Sequence, residues 1–592
     1  MAEAILAAKT RMTLIAAGAI FTLAAQAADY RFPTAGGDIS SAEAWGGTIP
    51  SGTDTATFDK TGVYTASADV TLPTVILKKD GIAFDLTDTP TRAVTLTGTG
   101  VTSADDVFKI QTASGRSEFR GGVWNWGASA SARFAVGANA TYSGNEMVLN
   151  GAVFSGFPNV YVGLNGSRDD TLVLTNGASV CGDSTFVCVA RTPSAAGHRL
   201  VVNTGSSLDV GSFNTDLAGT RSEATRGNGA VVSGGGSSVT TKANVTVGCR
   251  HDANEVLVGD GAALVVGGNL VIGDEAATRD NALAVVGGAR AEIAGDCQVG
   301  NNGSCNTLTV SNASLVVTGV NGVRIGISSA SSSNTVIVAG EAATVTCAKG
   351  VLFGSGSFNR LVLTDGFTWD RSGTDANWAE ASSNNVVRIE NGASYALRNV
   401  WLGKSAEGRG NRVEIGADAT FTAYRFHTTA IGNGLVISNG TYVGTSLSAS
   451  GIGDTLDGAE FPDGNYIRLE GNRPAVRFTT ESNQGLRVAN RSRVEIALPA
   501  GGYPENHVPI TGGKFSIDGT SDIVLEPDVY LAALGGERGE VTLVSVERSL
   551  TIPDEVLARA NARLPARCRL VVDGYELVLK TKSNKSLILI YR

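Results

Sequence analysis

The sequence predicts an all-β chain wound into a parallel β-helix solenoid, and three observations carry that prediction. A ten-residue phrase recurs about every 25 to 30 residues through the middle of the chain. Within each copy apolar residues alternate with polar ones, the period of a half-buried strand. No helical period separates one copy from the next.

The phrase is clearest at Asn306 to Leu315, "NTLTVSNASL". It returns as "DTLVLTNGASV" from Asp170, "HRLVVNTGSSL" from His198, "NEVLVGDGAAL" from Asn254, "NTVIVAGEAATV" from Asn334, "NRLVLTDGFTW" from Asn359, "NVVRIENGASY" from Asn385 and "NGLVISNGTYV" from Asn433. Alternation sets an inward pair in each copy, such as Leu172/Leu174, Leu200/Val202, Val256/Val258, Leu308/Val310, Leu361/Leu363 and Leu435/Ile437. A turn follows, Asn-Gly at Asn176-Gly177, Asn391-Gly392 and Asn439-Gly440. A second strand comes next, as at Leu264 to Val266 and Leu315 to Val317, and then a third, "VxVG", as at Val245 to Gly248, Leu270 to Gly273 and Val323 to Gly326.

Three short strands per period cannot bury their apolar faces alone and must stack on their neighbours. The expectation is a β-helix of about 12 to 14 three-strand coils, with an N-terminal β cap and a small C-terminal cap containing one short helix and a hairpin. An Asn-Gly turn between apolar runs also suits an antiparallel hairpin, so an antiparallel sandwich is the rival. The Asn opening most units has two readings as well. It either stacks into a hydrogen-bonded ladder at one corner, or it is a turn residue that tolerates left-handed backbone.

In chain order, residues 1–27 read as a secretory signal: Lys9 and Arg11, an apolar run Leu14 to Leu23, then "AQA" ending at Ala27. Glu3 makes the leading segment unusual, and translation beginning at Met12 would shorten it. The apolar run is too short to span a bilayer, and no later run reaches about 18 apolar residues, so the mature chain is expected to be exported without a transmembrane segment. Residues 28–100 read as the N-terminal cap and first coils, because an open solenoid end exposes unpaired backbone. Residues 101–499 carry the repeats, degenerate at first around "GGVWNWG". Residues 500–592 form the C-terminal cap, where "IPDEVLARANARLP" is a helix with acids near its positive end, and "CRLVVDGYELVLK" is a hairpin turning at Asp573-Gly574.

Composition narrows the function classes. The 592 residues include 75 Gly and only 17% charged residues, a turn-dense, weakly charged chain, and 42% apolar content argues against disorder. A net charge of -9 with no basic cluster excludes a nucleic-acid footprint. Seven Cys without a C-x-x-C, and four His, do not suggest a structural zinc site or another metal or cofactor. Most Cys sit inside strand phrases as small hydrophobes, and Cys181 with Cys188 is the one local disulfide to test.

The opening "AWGGTIPSGTDTATF" followed by "NxLxVxNGAxL" coils resembles the large exported β-helix proteins with autotransporter-passenger-like, adhesin-like repeats. That resemblance implies a secreted or cell-surface structural or adhesive role, with outer-membrane association as one form of it. The roughly 90 residues after Pro499 are too few for that family's translocator barrel, so no barrel is expected within them.

Parallel β-helices also host pectin-lyase-like lyases and hydrolases, which makes a carbohydrate-active enzyme the alternative. Such chemistry needs converging carboxylates, or an Asp cluster with calcium and an Arg base. The candidates are Asp169-Asp170, Asp274-Glu275, and Arg473, Pro474 and Arg477 in "NRPAVR", each of which also reads as a solvated loop between coils. None forms a catalytic set by spacing. Trp124, Trp126, Trp369 and Trp401 would either stack on sugar rings or fill the core.

The residues between the inward pairs point outward: Val173, Val201, Val231, Leu257, Ala284, Thr309, Ile337 and Val362, then Arg388, Glu414, Val436 and Arg468. The first eight make a nearly continuous apolar stripe, which is expected either to be covered by another segment of this chain or to meet a partner. The partner classes are a cell-surface glycan, a protein, or further copies of the chain by lateral self-assembly.

Overall fold

The computed structural model describes residues 28–98, 106–112, 114–127, 133–192, 194–216, 227–276, 278–405, 407–450, 464–479 and 484–583. The signal segment lies outside them. Stacked parallel strands make three faces. On the first face Ala282–Val286, Thr307–Ser311, Thr335–Ala339 and Arg360–Thr364 pair in register, Leu283 beside Leu308 beside Val336 beside Leu361. On the second, Arg290–Ile293, Ser314–Val317 and Thr344–Cys347 pair. On the third, Cys297–Val299, Val323–Ile325 and Val351–Phe353 pair. Every named inward pair is buried. The strands from Asp29 to Thr551 pair with one another only in parallel, which rules out the antiparallel sandwich.

The solenoid has about 17 turns, more than the expected 12 to 14. The extra turns lie where the repeat phrase is degenerate. Gly62–Thr65, Ile82–Asp85, Arg116–Arg120 and Glu146–Asn150 are already first-face strands, and their inward column is aromatic: Tyr64 beside Phe84 beside Phe119. Phe84 and Phe119 stack at 5.0 Å, and Trp124 meets Phe119 edge-on at 4.7 Å. Wide rings fill the same interior that Leu and Val fill later, so the coil persists while the Leu-x-Val phrase does not.

Parallel stacking on the first face ends at Asp522–Glu526. Beyond it the cap holds two helices, Asp528–Ala533 and Asp554–Arg563, where one was expected. Arg559 and Arg563 of the longer helix each reach Asp522 at 2.9 Å, and Asn561 bonds both the N–H and the carbonyl of Leu570. The hairpin Cys568–Asp573 with Glu576–Thr581 is antiparallel, and its second strand pairs antiparallel with Gly539–Ser545. This adds two antiparallel strands to the second face and makes Cys568–Asp573 its last strand.

One corner is held by a side-chain ladder. Asn281, Asn306, Asn334, Asn359, Asn385, Asn411 and Asn433 are all buried. The backbone N–H of each donates to the side-chain oxygen of the next: Asn281 to Asn306 at 3.1 Å, Asn306 to Asn334 at 3.0 Å and Asn334 to Asn359 at 2.9 Å. Side-chain N–H groups of Asn281, Asn306 and Asn334 follow the same path at 3.1, 2.9 and 3.1 Å. Of the two readings of this Asn, the ladder is the one found. It explains the glycine of "VxVG" too. Gly248, Gly273, Gly300 and Gly326 have left-handed backbone, and a Cβ on each would overlap the amide of Asn281, Asn306, Asn334 and Asn359 respectively.

Candidate functional site

The sequence candidates for catalysis do not converge. Asp169 sits at an exposed left-handed corner, whereas Asp170 is fully buried as a rung of the ladder. Asp274 accepts a bond from Asn301 at 2.8 Å and Glu275 pairs with Arg250 at 2.8 Å, both on the loop between coils. Arg473 and Arg477 are exposed on either side of buried Pro474, whose carbonyl meets the His507 ring at 2.9 Å. Among the described residues no group of three or more His, Cys, Asp or Glu is placed to hold a metal.

Asp170 and His198 show what the ladder slot demands. Asp170 Oδ1 accepts the Asn145 N–H at 2.9 Å, and His198 Nδ1 accepts the Asp170 N–H at 3.1 Å. The slot therefore needs an acceptor, which Asp and the Nε2-protonated tautomer of His both supply. His198 Nε2 donates to the Ser167 carbonyl at 3.0 Å. Burial pushes the Asp170 carboxyl up to about 6 and the His198 imidazole down to about 4.

The two groups act in opposite directions on stability. Asp170 favours folding when protonated, and that contribution is lost as pH rises from its unfolded value near 4 through about 6. His198 favours folding when neutral, and its contribution is lost as pH falls from its unfolded value near 6.5 toward about 4. Asp170→Asn keeps the acceptor and removes the buried charge. It is expected to stabilise by about 2 to 3 kcal/mol at pH 7.5, with the gain vanishing below pH 4, as thermal melts across that range would read.

A second buried pair, absent from the sequence reading, closes a corner of the third face. Asp216 accepts the backbone N–H groups of Cys249, Arg250 and His251 and meets His251 Nδ1 at 2.9 Å. Cys249 lies beside this pair, but burial, with Asp216 next, pushes its thiol up to about 12, the opposite of an activated nucleophile. Asp216 spaces too irregularly from the repeat phrase to be found by periodicity.

All seven Cys are free, and four of them are buried. Cys181 pairs in register with Ser155 on the second face and Cys188 with Tyr161 on the third, so a turned corner separates them and no bridge forms. The tryptophans divide. Trp124 and Trp369 are core, as is Trp378. Trp401 is partly exposed on the third face, stacked on His427 at 6.2 Å. Trp126 lies at a corner, against Phe157 at 5.3 Å, in a cleft of about 350 Å³ that also includes Pro158, Asp183, Ser184 and Thr185.

The first face carries the outward row where the sequence places it. Val148, Val173, Val201, Val231, Leu257, Ala284, Thr309, Ile337 and Val362 stand in register on successive coils. All but Val148 are partly exposed. Arg116–Arg120 and Glu146–Asn150 are strands of this same face, and the C-terminal hairpin pairs with Gly539–Ser545 of the second face, so none of these segments lies over the row. Beyond Val362 the row becomes ionic. Arg388 meets Glu414 at 2.6 Å, and Arg468 meets Glu495 and Glu526 at 3.0 Å each.

Comparison with protein-family models, with curated proteins and with solved structures finds no match. The likeness to autotransporter-type passengers therefore rests on the repeat phrase and the solenoid it builds.

Proposed function

We propose that this chain is an exported structural solenoid of adhesin-like character, and that its first face is its contact surface. The observation that carries this reading is the bare row from Val173 to Val362, seven coil steps or about 34 Å of aliphatic surface. Contiguous apolar surface costs free energy in water, and a partner removes that cost. In the producing cells the chain is expected outside the cytoplasm with its terminus near Ala28. Val201→Lys and Ile337→Lys should be exported and melt like wild type but lose attachment to whatever retains it there. Recovery of intact Met1 in the cytosol alone, or unchanged attachment by both variants, would sink the reading.

The Trp126 cleft favours a second reading, carbohydrate binding, because an indole beside an exposed carboxylate and hydroxyl suits a sugar ring. Pectin and alginate oligosaccharides then bind the purified chain, and Trp126→Ala or Asp183→Asn weakens that binding. New unsaturated or reducing ends in the same mixtures would extend it to an enzyme.

A further inference from the structure

Arg199 and Glu255 are exposed on the first face, and neither forms an ion pair within the described chain. They share one outward column two coils apart, with Gly229 between them, in register with both. Beside them runs the apolar row Val201, Val231 and Leu257. On the other flank, the positions at the same three coils are Asn203, Ser233 and Gly259, without charge.

This patch is its own complement under a two-fold rotation. For an axis lying in the interface along the strand direction through Val231, each outward column faces itself with the coil order reversed. Val201 then faces Leu257 and Val173 faces Ala284, all in register columns. In the flanking column the same operation sets Arg199 of one copy against Glu255 of the other, twice, with Gly229 of each copy on the axis. We propose that the first face docks a second copy of this chain in antiparallel orientation, centred on Val231 and keyed by two Arg199–Glu255 ion pairs.

Competing registers fit less well. Centring on Leu257 sets Glu255 against its own copy, two like charges on the axis. Displacing the centre toward Val362 brings the apolar row against Arg388 and Glu414, which already satisfy each other.

The area limits the strength. Four coil steps by three columns cover on the order of 300 Å² per copy, below the usual size of a protein interface. Aligned sheets also cross at about 30°, so the match is best near Val231 and fades toward the ends. The association is therefore weak and reversible, and the two charge pairs act chiefly on its specificity and its salt dependence.

The proposal rests on the reading that the first face is a contact surface, and sedimentation equilibrium of the full mature chain up to about 100 µM separates the two. Wild type is expected to show a monomer–dimer equilibrium that weakens with salt. Arg199→Glu and Glu255→Arg should each weaken it about tenfold, and the double swap should restore it, while Arg360→Glu, in the same column outside the patch, leaves it unchanged. All three positions are exposed, and melting curves matching wild type verify that the variants are folded. A chain monomeric throughout, or a double swap as weak as either single, overturns the proposal. If Val201→Lys and Ile337→Lys nonetheless abolish attachment in cells, the contact face stands and only its occupant was misassigned.

Discussion

Val310→Asp and Leu363→Asp are expected to destabilise the solenoid by about 4 kcal/mol or more, because each places an unpaired charge in the closed interior between stacked coils. Both positions are fully buried, and Val310 lies in register between Val285 and Val338. Thr309→Asp, one residue away and pointing out, should cost less than about 1 kcal/mol. The contrast follows from a side-chain period of two, since a slip of one residue would exchange the roles of Thr309 and Val310. Denaturant midpoints of the three variants measure it, and equal losses for all three would mean the register is wrong.

Asn306→Ala should be nearly as damaging, although it removes only a few atoms. Asn306 Oδ1 accepts both the backbone and side-chain N–H of Asn281 at 3.1 Å, and its Nδ2 donates to Asn334 at 2.9 Å. Alanine leaves two buried donors of Asn281 unpaired, at about 1 to 3 kcal/mol each, so a total of about 2 to 6 kcal/mol is expected. The loss is local, and hydrogen exchange at the Asn281 amide reports it most directly. Asn312→Gly is the control. Asn312 is exposed at a turn with φ 47°, which glycine adopts without strain, so exchange at Asn281 should not change.

The inward pairs were legible because a strand buried on one face writes its period into the sequence, and no intruder breaks it between Leu172 and Leu469. The ladder was half legible. Asn recurs in one slot, and Asp170 and His198 in that slot show that Asn is not obligatory, because the slot requires an acceptor rather than an amide. The paired glycine was visible only as a turn residue, because its partner amide comes from another coil. What periodicity could not reach was the N-terminal stack, where Tyr64, Phe84 and Phe119 replace the aliphatic pair, and the short helix Asp528–Ala533, too brief to show a period. The same limit hides Asp216 and His251, which meet across a sequence separation of 35 residues.

Among the candidate site residues, adjacency in sequence was misleading. Asp169 and Asp170 are neighbours in the chain, yet one faces water and the other the interior, since a corner turns between them. The outward row was correctly placed by alternation. Whether anything covered it was a question of tertiary arrangement, which alternation does not address, and the described segments leave it bare.

Distances along the first face test the stacked solenoid most directly. Nitroxide-bearing residues placed at Val173 and Thr309 are five coil steps apart, and those at Val173 and Arg388 are eight. At about 4.8 Å per step, pulsed electron-spin measurements on the dilute chain should give about 24 Å and about 38 Å, rising in proportion to the number of coils between the labels. Distances that do not grow with coil number, as in a sandwich of folded-back hairpins, would contradict the stack and with it the continuous face on which the contact surface depends.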